Sequence, residues 1–286
     1  MNLLKSLCLA GSLLAFVSGS TLPVSAQGAA PAAQSAAATA IDTKAVSYTQ
    51  GSTALEGWLA APKEASGKLP AVLLIHDWMG VAAYAKSRTE QLAGLGYVVL
   101  AADIYGKSVR PDNPKAASEQ AGIYKADRAL FRQRLLAGLE ELKKQPNVDS
   151  TRIAAIGYCF GGTGVLELAR AGADVKGVVS FHGGLDSPTP ADGKNIKAKV
   201  LILHGADDPF VKPEGIAAMI SEFNAAKVDW QMTSYSGAVH SFTQKVAGDD
   251  NSKGAAYNAL ADKRSWQALQ DFLNEVLAPK APIKVY

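Results

Sequence analysis

Residues 152–170 read RIAAIGYCFGGTGVLELAR, and the turn in the middle of this stretch decides the fold. The apolar run at 152–156 is strand-like, and the run at 165–169 is helix-like. Glycines on both sides of Cys159 allow a sharp strand-to-helix turn, which is the pattern of a nucleophile elbow with cysteine as the nucleophile. The positive end of the following helix favours the thiolate. A buried structural cysteine is the competing interpretation, and the strand–turn–helix context disfavours it.

The rest of the chain alternates apolar runs of strand length with segments of helical pattern. The segments 44–49 and 55–60 predict an antiparallel hairpin, because the residues between them are turn-like. Further strands are predicted at 71–75, 97–101, 152–156, 177–181, 199–203 and 230–235. Helices are predicted at 82–95, 126–144, 165–169, 213–226 and within 255–277. This alternation predicts an α/β protein with a mostly parallel central sheet and helices on both faces.

Composition favours one globular domain. The chain has 286 residues, of which 48% are hydrophobic and 19% charged, and its net charge is +3. No basic run is present, so nucleic acid is not indicated as a partner. No ligand spacing typical of a metal site occurs, and the sequence predicts no cofactor. We assign 44–286 to a single domain and the alanine-rich segment 27–43 to a flexible linker.

The first 26 residues have the pattern of a secretory signal peptide. Lys5 precedes an apolar run at 7–17, and Val24-Ser25-Ala26 fits a cleavage site between small residues. The pattern predicts export to the periplasm or the medium, with no membrane span after cleavage. Cys159 would then be the only cysteine of the mature chain. A lone thiol in an oxidising compartment is open to oxidation, which favours a chemical role over a structural one.

A cysteine nucleophile requires a histidine base, and three histidines follow Cys159. His182 and His204 come at the ends of predicted strands, where they could line the site or cap the strands. His240 lies in a loop after the last predicted strand, which is the position of the base in the order nucleophile, acid, histidine. The order therefore favours His240.

The acid that orients this base is expected in the loop 205–211, after the preceding strand. Asp207 and Asp208 both qualify by position. The G-x-x-D-x-x-V spacing of the loop selects Asp208, and Asp207 is then interpreted as a turn or surface residue.

Several motifs together resemble the dienelactone hydrolase family of α/β-hydrolases over residues 46–277. The most specific is Gly-Tyr-Cys-x-Gly-Gly at 157–162. The other matching segments are HDWMG at 76–80, ADIYG at 102–106, DPFV at 208–211 and HSF at 240–242. The resemblance implies an α/β-hydrolase fold with a central, mostly parallel sheet.

The resemblance also implies roles for individual residues. Cys159 would be the nucleophile, His240 the base and Asp208 its orienting acid. The backbone N–H of Phe160 opens the helix after the elbow and would stabilise an oxyanion. By resemblance, the second N–H comes from Trp78.

Other positions are candidates for an auxiliary role or for the pocket. The family typically has glutamate where Asp77 stands, with its carboxylate on the resting cysteine. Gln244 occupies the place of an arginine that holds the substrate carboxylate, and Lys107 lies near the place of a second one. A neutral amide cannot make a bidentate guanidinium contact, so the substrate stays open. The aromatic pocket candidates are Tyr105, Tyr158 and Phe210.

The sequence thus predicts hydrolysis of a small-molecule ester or lactone through a Cys-His-Asp triad and a thioester. A non-catalytic binding protein of the same fold is one alternative. A thiol redox protein is another, which is weakened because the mature chain would contain no second cysteine to resolve a sulfenic acid.

Overall fold

The computed structural model describes residues 40–64 and 66–278. The predicted signal peptide and the predicted linker up to residue 39 lie outside the described residues. The first strand begins at Ile41, three residues before the start at 44 that the sequence predicts.

Eight strands and six α-helices make up the described chain. The strands are β1 (Ile41–Gln50), β2 (Thr53–Pro62), β3 (Leu69–Ile75), β4 (Val98–Ala102), β5 (Val148–Tyr158), β6 (Gly177–Phe181), β7 (Lys199–Gly205) and β8 (Trp230–Tyr235). The helices are α1 (Ala83–Gly94), α2 (Pro114–Ala126), α3 (Arg128–Lys143), α4 (Phe160–Arg170), α5 (Pro213–Ala225) and α6 (Ala259–Leu277). Among the described residues, no helix has the length and apolar composition to cross a bilayer.

All eight strands form one sheet in the order β1-β2-β4-β3-β5-β6-β7-β8. β1 and β2 form an antiparallel hairpin, β2 pairs antiparallel with β4, and the strands from β4 to β8 run parallel. The predicted mostly parallel α/β sheet with an N-terminal hairpin is therefore confirmed.

Apolar residues of the central strands face both sides of the sheet and account for two cores. Leu73 and Ile75 of β3 pack on the face covered by α2, α3, α4 and α5, while Val72 and Leu74 pack on the face covered by α1 and α6. Side chains of a strand alternate between faces, so a run that is apolar at every position is buried on both.

Helix α2 was not predicted from the sequence. It begins where the Asn113 side chain accepts a hydrogen bond from the backbone N–H of Ala116, with Pro114 in the first turn. It ends at Asp127, whose side chain in turn caps α3. The features of the sequence that indicate this helix are therefore its capping residue and the proline in its first turn, both of which are favourable at helix starts. A strong face of apolar residues at helical spacing is not one of them.

The strand order brings the ends of the parallel strands together at one edge of the sheet. Cys159 follows β5, His182 follows β6, Asp208 lies after β7 and His240 lies after β8. Asp77 follows β3 at the same edge. Folds with an open parallel sheet bind ligands at the carboxyl edge of the sheet, so these residues mark the candidate active site.

Candidate active site

Cys159 occupies a strained turn between β5 and α4. Its φ of 54° and ψ of −114° are unusual for a residue with a side chain. A β-carbon at Gly157 would overlap the carbonyl group of Gly161, and one at Gly161 would overlap the carbonyl oxygen of Ile75. The glycines are thus required because strand, turn and helix approach each other too closely for side chains. The side chain of Cys159 is left partly exposed at the start of the helix.

His240 lies between a sulfur atom and a carboxylate. Its Nε2 is 3.0 Å from Cys159 Sγ, and its Nδ1 is 2.9 Å from Asp208 Oδ2. Asp208 is buried, with 6% of its surface exposed. Asp208 Oδ1 accepts a hydrogen bond from the backbone N–H of Phe210, which fixes the carboxylate in its loop. The structure thus brings together the three residues that the sequence selected.

The charge state of His240 follows from this arrangement. Burial of the ring lowers its pKa, but the neighbouring Cys159 and Asp208 outweigh burial and raise the pKa from 6.5 to about 10. A positively charged imidazole is therefore the favoured form of His240 at neutral pH.

The structure distinguishes the two aspartates. Asp208 points to His240, whereas Asp207 is exposed and accepts a hydrogen bond from the backbone N–H of Gly237. The N–H of Asp207 also donates to the carbonyl oxygen of Ala238. Asp207 therefore links the acid-bearing loop to the base-bearing loop, a role that its interpretation as a turn residue did not include.

Two backbone N–H groups at the carboxyl edge of the sheet, those of Phe160 and Trp78, have no protein acceptor among the described residues. Phe160 is the first residue of α4, and the N–H groups in the first turn of a helix have no carbonyl acceptor within that helix. The N–H of Trp78 is in the loop after β3. The Trp78 carbonyl oxygen accepts a hydrogen bond from Tyr105 Oη at 3.0 Å, which holds this loop.

The Asp77 carboxylate is engaged away from the sulfur. Its Oδ1 accepts from the N–H of Met79 at 2.8 Å, and its Oδ2 accepts from Gln244 Nε2 at 2.8 Å. Burial raises the pKa of Asp77, and these two hydrogen bonds oppose that effect. The contact with the resting cysteine that the resemblance implies is thus replaced by an amide–carboxylate pair between the loops after β3 and β8.

The pocket candidates have different surroundings. Tyr105 is buried beside Phe160, with a ring-centroid distance of 5.5 Å. Tyr158 is 1% exposed and stacks on Phe181, so it belongs to the core rather than to a pocket. Phe210 is 64% exposed, and its ring lies edge-on to His240. Lys107 Nζ forms a salt bridge with Glu56 at 3.0 Å.

A cavity of about 900 Å³ adjoins the candidate triad, and its lining includes Ser241, next to His240 in the chain, but not Cys159, Asp208 or His240 themselves. Asp77, Trp78, Ser241 and Gln244, which adjoin the candidate triad in sequence or space, form one wall. Side chains of α1, including Tyr84 and Arg88, form another. The volume lies within the range of roughly 300–1,000 Å³ that is typical of small-molecule sites.

Sequence reasoning left one polar contact of the nucleophile unassigned. His182 Nδ1 lies 3.2 Å from the backbone nitrogen of Cys159, and His182 Nε2 lies 2.8 Å from Thr243 Oγ1. The position of His182 at a strand end was the available signal. Nothing in the sequence identified Thr243 as its partner.

Comparisons with known proteins identify the family of the chain. A model of the dienelactone hydrolase family matches residues 55–277. A solved dienelactone hydrolase-like promiscuous phosphotriesterase from metagenomic libraries is 40% identical, with a TM-score of 0.79 and coverage of 84% of this chain and 100% of that chain. Dienelactone hydrolase from Anabaena variabilis is 20% identical, with a TM-score of 0.62 and coverage of 83% and 99%, and shows the fold alone.

Curated relatives agree as well. A Bradyrhizobium protein named as a probable 2-oxo-3-(5-oxofuran-2-ylidene)propanoate lactonase is 26% identical over 79% of this chain and 91% of that protein. The Caenorhabditis elegans protein K02A2.1, whose function is uncharacterised, is 36% identical over 52% of this chain and 95% of that protein. Because the family match spans most of the chain and includes the elbow and the loops of Asp208 and His240, this chain belongs to the dienelactone hydrolase family.

Proposed function

We propose that the protein hydrolyses small carboxylic esters or lactones through a thioester on Cys159. The observation that carries the proposal is the position of His240, within hydrogen-bonding distance of both Cys159 Sγ and Asp208 Oδ2. A nucleophile, a base and a group that orients the base are the parts that covalent acyl transfer requires.

In the first half of the reaction, the Cys159 thiolate attacks the substrate carbonyl carbon, and the carbonyl oxygen becomes an oxyanion. The N–H groups of Phe160 and Trp78 are the proposed donors to this oxygen, each worth about 3 kcal/mol in comparable sites. Collapse of the intermediate breaks the ester C–O bond. The His240 imidazolium gives its proton to the leaving alcohol, and a thioester remains on the sulfur.

In the second half, neutral His240 removes a proton from water as the water oxygen attacks the thioester carbonyl. The C–S bond then breaks, the carboxylic acid leaves, and the thiolate and imidazolium are restored. Asp208 fixes the tautomer of His240 and stabilises its charged form in both halves. The net reaction consumes one water and needs no other reactant.

The cavity supports a small-molecule substrate. Its lining combines apolar and aromatic side chains with polar and charged ones, among them Asp77, Arg88 and Lys245. Such a mixture suits a small molecule that has both an apolar portion and hydrogen-bonding groups. The lactonase name of the Bradyrhizobium relative supports lactones as a class to test.

The nucleophile is tested by comparing the wild type with Cys159→Ala on an aryl acetate and on a small lactone. We expect the variant to lose at least about a thousandfold in kcat/KM, because the covalent route is removed. Equal rates for the two proteins would refute the cysteine mechanism. Rates at the buffer background for both proteins would favour a binding role for the fold.

The acid is tested with a matched pair of neighbours. Asp208→Asn should lower kcat by about 100-fold or more, because the amide cannot stabilise the imidazolium. Asp207→Asn is the control, and it should stay near the wild type since an asparagine oxygen still accepts the N–H of Gly237. The reverse pattern would show that the wrong aspartate has been assigned.

A phosphotriester is a second candidate substrate class. The observation that favours it is the 40% identity to a solved protein that is described as a promiscuous phosphotriesterase. An aryl dialkyl phosphate assayed beside the aryl acetate tests this candidate. Release of the aryl alcohol by the wild type but not by Cys159→Ala would support it, and no release above the buffer rate would refute it.

A further inference from the structure

A buried histidine connects the nucleophile to the loop that carries the base. The backbone N–H of Cys159 is shared between the carbonyl oxygen of Phe181, at 3.0 Å, and Nδ1 of His182, at 3.2 Å. On its other side, His182 Nε2 lies 2.8 Å from Thr243 Oγ1. Thr243 follows His240 by three residues, so one imidazole ring joins the two halves of the candidate triad.

The contacts define the form of the ring. Nδ1 receives the N–H of Cys159 and must therefore be unprotonated, which leaves the proton on Nε2 for donation to Thr243. Burial and the charge on His240 hold the pKa of His182 well below 6.5, in agreement with a neutral ring. His182 is fully buried, and its backbone φ is 39°, which is a strained value for any residue other than glycine.

The far end of this bridge is anchored on α1. Thr243 Oγ1 lies 2.6 Å from Tyr84 Oη, and the Thr243 carbonyl oxygen accepts from an Arg88 guanidinium nitrogen at 3.1 Å. Arg88 also forms an ion pair with Asp262 of α6. The base-bearing loop is thus held at Thr243 by helices on one face of the sheet, while His182 holds the elbow.

We propose that His182 is a positioning residue that sets the distance between Cys159 Sγ and His240 Nε2. The inference rests on the proposed function for its effect on turnover. Its structural part, the placement of the sulfur against the imidazole, stands independently of the substrate. Because a shift of about 1 Å in reacting groups can cost about 100-fold, loss of the bridge should lower the reactivity of the sulfur well beyond the loss of one ordinary hydrogen bond.

The test compares His182→Phe, which keeps a ring but removes both contacts, with His182→Asn, whose side-chain oxygen can still accept the N–H of Cys159. His204→Phe is the matched control, because His204 is also buried at a strand end and its Nδ1 has no partner in the described chain. Two rates are measured: kcat for the aryl acetate and alkylation of Cys159 by iodoacetamide. Peptide mass spectrometry separates Cys159 from Cys8, and thermal melting checks folding.

We expect His182→Phe to lower both rates by about 10- to 100-fold with little change in KM, and His182→Asn to recover part of the loss. Thr243→Val should lower kcat in the same direction, and the double variant with His182→Phe should lose little more than the worse single variant. Wild-type rates in His182→Phe would overturn the proposal, as would additive losses in the double variant.

A loss in His204→Phe equal to that in His182→Phe would also overturn it, because the effect would then be general destabilisation. Alkylation does not require turnover. If Cys159→Ala were to hydrolyse esters at the wild-type rate, the proposed function would fail, and the alkylation rates would still decide the role of His182.

Discussion

Replacing Cys159 by alanine is expected to lower the pKa of His240 by about 1 to 3 pH units. Burial of the ring lowers this pKa, whereas Cys159 and then Asp208 raise it, with a result of about 10 against the ordinary 6.5. At 1.36 kcal/mol per pH unit, the difference corresponds to about 5 kcal/mol of net stabilisation of the imidazolium. Alanine removes the first of the two favourable partners and leaves the carboxylate.

The direction of the pH dependence follows from a raised pKa. The stabilisation by charged His240 is fully present below pH 6.5 and is lost as the pH rises through about 10. In Cys159→Ala this contribution is smaller and is lost at a lower pH. The free energy of unfolding of the wild type should therefore exceed that of the variant most at pH 6.5 and below, and the difference should narrow as the pH rises through about 10.

The assay is an NMR titration of the His240 imidazole, assigned by comparison with His240→Gln, together with urea unfolding at several pH values. Cys159→Ser is the matched control, because its hydroxyl keeps a hydrogen-bonding group next to Nε2 but carries no charge at neutral pH. Serine and alanine should give similar pKa values for His240. An unchanged pKa in both variants would refute a thiolate–imidazolium pair.

Two further substitutions test the packing that holds the site. Gly161→Ala should prevent stable folding because its β-carbon would overlap a backbone carbonyl of β3, whereas Gly94→Ala, with open space around it, should melt within a few degrees of the wild type; thermal melting measures both. Glu222→Gln should lower the free energy of unfolding in urea by about 3 kcal/mol, because it removes a negative partner of the fully buried Arg170 guanidinium. Lys199→Met removes an exposed ion pair with Glu275 and should lower the free energy of unfolding by less than about 1 kcal/mol. Equal stability losses within either pair would contradict the reasoning.

The sheet was predictable because its inner strands are buried on both faces and are therefore continuous apolar runs. The bounds of β6 and β8 agree with the prediction at both ends. Helix α2 was not predictable by the same means, since only three of its 13 residues, Ala117, Ala121 and Tyr124, are buried. A helix that buries so few residues shows only a weak periodic pattern of apolar residues. Its capping residues are then the features of the sequence that indicate a helix.

The candidate triad was predictable because each of its members is tied to a strand end, and the order of the strands along the chain fixes the order of the residues. Its supporting contacts were not predictable in this way. Asp77 and Gln244 are 167 positions apart, and His182 and Thr243 are 61 positions apart. Each contact depends on how two loops meet at the carboxyl edge, which periodicity along one segment does not encode.

The same supporting contacts bear on which substrates suit the site. The sequence analysis considered two positions for holding a substrate anion, and both are already engaged. Gln244 pairs with Asp77, and Lys107 pairs with Glu56. In the proposed mechanism, a carboxylate on the substrate would approach the Cys159 thiolate, and like charges at close range repel strongly. An uncharged ester or lactone meets none of this repulsion. On the proposed mechanism, with Gln244 already paired to Asp77, we therefore expect neutral esters and lactones to be better substrates than esters that carry a carboxylate.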